Sequence, residues 1–339
     1  MKKSVSFLFL LILAAPILAG EVVLLPDLQK PENIVIDQNQ ILITQFPYVY
    51  IYSLKDFTLI KKFGKAGEGP QEFSNYVMIQ VHPAHPDYII VGSRGKMSFF
   101  TWGGKFVKEV RSGPGSFVAT YKPIGGKYAN YGILRQNKIA YLTVDIYNSN
   151  FKKIKEVIRW KKPMQRGKPF NPTDIEFQGG EFSTFDKKIF VLLREKGNIE
   201  VFDDDGKKQF SINYDYERIP VTTDDIKAIH HFFKTDPRLR QFYETLKSLF
   251  KFPQYFPSAR TMAVADNKTY VLTNKKRGGK SEFIIFDIGI KGKFLKKSMV
   301  PFKNANPLEP YPFTIKNGKL FQLVDNEETE EWELHIHAI

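Results

Sequence analysis

The chain of 339 residues contains no cysteine. That absence excludes disulfides, thiolate metal sites, a cysteine nucleophile and a lipid-modified N-terminal cysteine. Histidine is scarce, at six residues, which confines imidazole chemistry to a few places. After the first twenty residues no apolar run reaches the roughly 20 residues that a membrane-spanning helix needs. Helical periodicity is also nearly missing, and only Thr222 to Phe250 carries it. What is present in excess is aromatic: 30 Phe and 16 Tyr in a chain that is 42% hydrophobic. Such residues fit pleated, half-buried surfaces, and there are enough of them for a sizeable core.

The first twenty residues read as a secretory leader. Lys2 and Lys3 give a basic start, Phe7 to Leu13 is unbroken apolar sequence, and Ala14 to Gly20 is mostly small. Cleavage is expected after Ala19 or Gly20, leaving residues 21–339 as one exported domain without a transmembrane segment. The net charge of +14 is unevenly spread. Between Lys105 and Lys168 fifteen Lys or Arg face only Glu109, Asp145 and Glu156. This basic region, 105–168, suits an anionic surface or polymer, or else the solvated face of strands. Export argues against nucleic acid as the partner.

Short strands separated by turn residues begin at Asn33. Asn33–Asp37, Gln40–Thr44, Tyr48–Ser53 and Phe57–Phe63 make one four-stranded meander, and Tyr76–Val81, Tyr88–Val91, Lys96–Thr101 and Lys105–Arg111 a second. A polar turn followed by an apolar strand recurs, with that strand's first residue after the turn signature at 41, 89, 139, 189, 269 and 320. The steps are 48, 50, 50, 80 and 51 residues, so five joins link six units. A period near 50 built of four short strands predicts an all-β, six-bladed β-propeller of four-stranded antiparallel blades. The one long step holds the helical stretch, and places an insertion of about 222–251 between blades four and five. Thr222 or Thr223 is expected to cap its first helix, and Asp236-Pro237 to start a second. In unit three Phe117 to Tyr121 also reads as a first strand, which would put Asn137 at the second hairpin instead. The last unit shows only three strands, Phe313–Ile315, Leu320–Val324 and Trp332–His337. Glu21–Leu25 is expected to supply its fourth and close the ring.

The stretch Phe63 to Phe73, FGKAGEGPQEF, is echoed by Gly113-Pro114-Gly115-Ser116-Phe117. No Lys-Ser or Lys-Thr pair closes it and a strand follows, so it lacks what a phosphate loop requires. It resembles the inter-blade signature of NHL-type propellers. It is closer still to exported bacterial six-bladed β-propeller proteins, the NHL-like or TolB-like group, carrying G-x-x-G-x-G-P-x-E-[FY] after the first blade. Gly64, Gly67, Gly69, Pro70, Glu72 and Phe73 fill those positions, whereas Ser74-Asn75-Tyr76-Val77 departs from the NHL continuation. Residues 145–154 and 252–257 are similar to the same group. The resemblance implies the fold and export, and brings no shared catalytic set.

Candidate sites are therefore positional. Residues entering the innermost strands after the inter-blade loops, Asn33, Asn75, Arg260 and Tyr311, are the ligand-binding candidates. Glu333, His335 and His337 share one face of the last strand, and could hold a metal, although alternating polar residues also mark a solvent-facing strand. Asp203-Asp204-Asp205-Gly206 resembles a calcium loop but lacks the distal glutamate, so a hairpin turn is expected. No cofactor is implied. The leading expectation is a non-catalytic protein that recognises a protein, peptide or glycan on the face where inter-blade loops gather. The alternatives are a metal-assisted, lactonase-like hydrolase or lyase at the central channel, and a basic adhesion surface for anionic polymers.

Overall fold

Turn chemistry sets the strand pairing. The computed structural model describes residues 20–339 except 75, 82–86, 112–120, 163, 166 and 175–179. The expected leader thus lies outside the described residues. Strand β1 (Glu21–Leu24) precedes a first meander of β2 (Asn33–Asp37), β3 (Gln40–Gln45), β4 (Tyr48–Ser53) and β5 (Leu59–Phe63). Gln38 and Asn39, at φ 45° and 60°, make the left-handed two-residue turn that matches strand twist between β2 and β3. A parallel pair, β6 (Lys65–Ala66) and β7 (Glu72–Phe73), fills the crossover to blade two. That blade is β8 (Met78–Val81), β9 (Tyr88–Ser93), β10 (Lys96–Thr101) and β11 (Phe106–Arg111).

Blade three comprises β12 (Lys122–Ile124), β13 (Lys127–Gln136), β14 (Ile139–Tyr147) and β15 (Lys153–Lys161). Here one expectation is corrected. The turn equivalent to Gln38-Asn39 is Gly125-Gly126, while Asn137-Lys138 joins the second strand to the third. The two turns were confusable because Asn137 and Lys138, at φ 50° and 63°, adopt the same left-handed conformation. The even steps of 50 residues around this blade were therefore accidental. Residues 117–120 of the alternative first strand lie outside the described residues, and Tyr121 precedes β12.

Blade four is β16 (Gly180–Phe185), β17 (Lys188–Leu193), β18 (Asn198–Asp203) and β19 (Lys208–Asn213). Helix α1 (Thr223–Thr235) follows, its Thr222 hydroxyl accepting from the Asp225 N–H at 3.2 Å while the Asp225 carboxylate accepts from the Thr222 N–H at 2.9 Å. The expected second helix is reduced to 3₁₀ turns around the single turn α2 (Tyr243–Leu246). Its Tyr243, Leu246 and Leu249 are only partly buried, and Phe242 stays half exposed. Blade five is β20 (Thr261–Ala265), β21 (Lys268–Arg277), β22 (Lys280–Asp287) and β23 (Lys293–Pro301). Blade six is β24 (Phe313–Lys316), β25 (Lys319–Asn326) and β26 (Glu331–Ala338), with β1 as its outermost strand. Pairing of Glu21 with Ile336 through Leu24 with Glu333 closes the ring as expected.

Burial explains why the strands read as they do. Second and third strands of a blade are covered on both faces by neighbouring blades, so Ile41, Leu42, Ile43, Val49, Tyr50 and Ile51 are all buried in succession. Outermost strands face water and carry lysine, as in Leu59-Ile60-Lys61-Lys62. Among the described residues the core consists of six clusters, one between each adjacent pair of blades. In blades one to five the pairing of third with fourth strand carries a register shift. Such bulges deepen the twist that each blade needs to fit the ring.

Because each meander is antiparallel, its outermost strand ends where the next innermost strand starts. All outermost-to-innermost crossovers therefore share one face, including 64–77 and the insertion. Polar side chains of the second strands tie these crossovers down. Gln45 Oε1 accepts from the N–H groups of Gln29 and Lys30, and Ser93 Oγ from that of Ser74. Asn274 Nδ2 donates to the Pro257 carbonyl, and Gln322 Nε2 to that of Lys303.

Candidate functional site

The first crossover shows what its glycines are for. Gly64, at φ +103°, lies where a Cβ would come within 2.6 Å of the Pro47 carbonyl and 2.7 Å of the Phe73 ring. Phe73 is fully buried between blades one and two. Glu72 accepts from the Gly69 N–H at 2.8 Å and pairs with Lys65 at 2.7 Å, while buried Lys96 donates to the Gly69 carbonyl at 2.7 Å. Glu72 and the Gly69 backbone are thus held within the crossover, which is the motif's chemistry here.

A charged cluster lies where blades four and five meet near the axis. Arg194, 3% exposed just after β17, donates to Asp174 at 2.6 Å and to Glu181 at 3.1 Å. Thr261 donates to the other Glu181 oxygen at 2.9 Å. Burial pushes the Glu181 carboxyl up, against the opposing pull of Arg194 and Lys122. Burial pushes the Lys122 ammonium down, and its Nζ donates to the Phe182 carbonyl at 2.7 Å. Two acids and a guanidinium of blade four and its entering crossover thus satisfy one another, and only the Thr261 bond to Glu181 reaches blade five.

The positional candidates do not assemble into one site. Arg260 donates to Asn304, and burial together with the charge of Arg194 brings its guanidinium down to about 10. The void beside it, bounded by Asp174, Arg194 and Pro307, measures about 20 Å³ and has room for one water. Tyr311 packs edge-on against Trp332, ring centres 5.7 Å apart, as part of the blade-six core. Asn33 starts β2, and its buried Oδ1 has no hydrogen-bond partner among the described residues. No hydrogen bond or ring contact joins these three among the described residues, and Asn75 lies outside them.

Glu333, His335 and His337 do share a face of β26. The Glu333 carboxylate is already taken by Asn326 Nδ2 at 2.7 Å and His335 Nε2 at 2.6 Å. His335 and His337 stand edge to face at 6.1 Å. Among the described residues no three His, Asp or Glu come close enough to hold a metal ion. The central channel, about 720 Å³, is walled by inner-strand residues such as Val35, Ile79, Val264 and Ile315, with Asp37, Asp186 and Asp266 at the mouth opposite the crossovers. That donor set does not fit a metal centre, since aliphatic side chains line the channel between the acids. The Asp203 turn is a hairpin, its carboxylate accepting from the N–H groups of Asp205 and Lys207 at 3.0 and 2.8 Å.

The basic region divides into two parts. Lys127 pairs with Asp205 at 2.8 Å, Lys155 donates to the Asp205 carbonyl, and Lys153 pairs with Asp145 at 2.7 Å. These cations fasten blade three to itself and to blade four. Five others, Lys138, Arg159, Lys161, Lys162 and Lys168, gather on the crossover face, in a groove of about 970 Å³ between blades three and four. Lys138, Arg159, Lys161, Lys162, Lys168, Lys196 and Lys251 line it, against one acid, Glu195. Of these seven, only Arg159 has an ion-pair partner, Glu156, among the described residues. Trp160, Phe170 and Phe252 supply its apolar surface.

The insertion builds the far wall of this groove. Phe233 of α1 packs on Phe250, ring centres 4.7 Å apart, and Phe250 on Phe170 at 5.5 Å. Backbone bonds from Phe170 N to the Leu249 carbonyl and from Lys251 N to the Phe170 carbonyl, both 2.9 Å, fix the insertion to the blade-three crossover. His230 serves the same packing through Tyr243 at 3.1 Å. Sequence reading registered the charge of 105–168 but missed the groove, because Lys196 and Lys251 come from two other segments. The one available signal was the insertion itself, whose length exceeds what a blade connection requires.

No protein-family model and no curated protein matches the sequence. Solved structures do match in shape. A protein of Bacteroides fragilis NCTC 9343, named as a candidate exported protein, superposes with a TM-score of 0.50 at 12% identity, over 94% of this chain and 95% of that one. A member of the DUF4221 family from Bacteroides vulgatus gives 0.49 at 11%, over 95% and 98%. A luciferin-regenerating enzyme gives 0.42 at 10%, over 95% and 96%. At these identities the likeness shows the fold alone. No helix among the described residues is long and apolar enough to cross a membrane.

Proposed function

We propose that this protein is an exported, non-catalytic binding propeller that takes a protein, peptide or glycan into the groove between blades three and four. The observation that carries the reading is the groove itself. Its volume of about 970 Å³ falls at the upper end of the roughly 300–1,000 Å³ typical of ligand sites, and it opens on the face where the crossovers gather. Support for export comes from the leader-like first twenty residues, from the name of the Bacteroides fragilis protein, and from the resemblance of FGKAGEGPQEF to exported NHL-like or TolB-like propellers.

Two measurements test this. Mass spectrometry of the protein recovered from a secreting host should find a mature N-terminus at Gly20 or Glu21, and an intact Met1 in the cytoplasm would contradict export. For binding, the lack of native cysteine allows one reactive thiol at Lys196→Cys. Attaching a bulky polyethylene-glycol maleimide there should abolish capture of the peptides and glycans that bind on arrays. The same label at Lys207→Cys, on the far face, should not. Equal capture with the groove blocked would overturn the proposal.

A further inference from the structure

Resting on that binding reading, we infer that the groove between blades three and four accommodates a segment of an acidic polysaccharide, a chain of sugars carrying carboxylates or sulfates. Charge is the first reason. Six lysines of the groove have no ion-pair partner among the described residues, so they converge on a space that offers them one acid. Elsewhere in the same blade lysines do find partners, as Lys127 and Lys153 show. Like charges gathered in one cleft repel each other, and a polyanion would relieve that cost.

Shape narrows the class. The cations lie on opposing walls of a cleft, at the edge of β15, on the β17–β18 turn and at Lys251 of the insertion. A flat layer of lipid headgroups cannot reach both walls, whereas a single chain lying in the cleft can. Composition narrows it further. Single-stranded nucleic acid is held by open aromatic faces on which bases stack. Here Phe170 is 4% exposed and Trp160 packs over Gly180, where a Cβ would meet its ring at 2.9 Å. Half-buried Trp160 and Phe252 leave enough apolar surface for the faces of sugar rings.

The test uses the full exported chain and defined probes: polygalacturonate, dextran sulfate, neutral dextran, poly-glutamate and single-stranded DNA, each titrated calorimetrically. Expected are binding of both acidic polysaccharides, none of neutral dextran, and affinity falling at least tenfold as salt shortens the screening length from about 10 Å at 0.1 M to about 3 Å at 1 M. The wall variants Lys161→Glu/Lys162→Glu and Lys196→Glu/Lys251→Glu should each lose tenfold or more. Lys293→Glu/Lys296→Glu, on the outermost strand of blade five, removes the same charge and should lose less than threefold. Equal losses in all three variants would mean diffuse attraction, and overturn the inference. Tighter binding of DNA or poly-glutamate, still lost in the wall variants, would overturn the polysaccharide class and leave the binding groove standing. Failure of every polyanion, with array ligands still blocked at Lys196→Cys, would overturn the acidic ligand alone.

Discussion

Leu25→Ala tests whether the ring is held shut by its first strand. Leu25 is 1% exposed, lies in the cluster shared by blades six and one, and donates its N–H to the Trp332 carbonyl at 2.8 Å. Truncating a buried leucine typically costs about 2–5 kcal/mol, the spread reflecting how far the site can collapse. Ile36, Leu334 and Ile336 around it belong to paired strands and cannot move far, so about 3 kcal/mol is expected. With a urea slope of about 3 kcal/mol/M for a chain of this size, the unfolding midpoint should fall by about 1 M. Removing Glu21–Pro26 adds the loss of four paired residues and exposes the β26 edge, which brings the total to about 5 kcal/mol or more. That is comparable to the whole stability of a typical domain, about 5–15 kcal/mol. The three tryptophans make the assay specific, because Trp332 reports blade six, Trp160 blade three and Trp102 the end of β10 in blade two. Variants retaining one tryptophan each, with the others changed to Phe, should show all three signals shifting together. A shift confined to Trp332 would mean that the strand merely covers one blade, and would refute ring closure as its role.

Arg194→Met should cost about 3–5 kcal/mol by stranding Glu181 and Asp174, and adding Glu181→Gln should recover part of it; strict additivity in a urea double-mutant cycle would deny the coupling. Gly64→Ala should lower the thermal midpoint more than Gly69→Ala, since its Cβ would meet backbone and a buried ring, whereas that of Gly69 meets only the flexible Glu72 carboxylate at 3.0 Å; equal shifts would contradict the packing argument. Burial, then the charge of His335, depresses the His337 imidazolium below its ordinary 6.5, so the native state resists a proton that the unfolded chain accepts. Stability should therefore fall as pH drops from about 6.5 to the depressed native value and level off below it, and His337→Gln should flatten that part of a midpoint-versus-pH curve. Replacing Arg135–Ala140 by an Asn-Gly turn should move the thermal midpoint by only a few degrees, about what 1 kcal/mol does in a large domain, while removing Lys138 and the groove's edge; loss of the fold would show the hairpin tip to be structural.

Most of the ring was legible because its strands announce themselves locally. Asn33–Asp37, Tyr48–Ser53 and Lys96–Thr101 begin and end where the sequence places them. Left-handed turns such as Gln38-Asn39, Asp266-Asn267 and Asn317-Gly318 mark the first hairpin of a blade. The same turn chemistry misled at Asn137-Lys138, since a turn type reports a hairpin but not which hairpin of the blade. The buried ion pairs were not legible. Arg194 meets Glu181 of the neighbouring strand and Asp174 of the crossover before it, and nothing local in Leu193-Arg194-Glu195 distinguishes a buried guanidinium from an exposed one. The positional candidates failed to converge for a similar reason: each crossover follows its own path, and Arg260 and Tyr311 were drawn into separate packing.

The departures from regularity all fall on one face. Blades one, two and four close the ring with second and third strands of six residues each. Blade three uses ten and nine, blade five ten and eight and blade six eight and eight, so all three exceed what closure requires. In each, the extra length lies at the hairpin joining second to third strand, and that hairpin points to the crossover face. Among the described residues β12 pairs with β13 from Lys122 opposite Ala129 to Ile124 opposite Lys127. The only α-helices among the described residues stand on the same face, held by Phe250 against Phe170. Strand extension, helical insertion and unpaired lysines are independent features of the sequence, and closure of the propeller demands none of them. Their presence on one face is the physical ground on which the proposed binding groove rests.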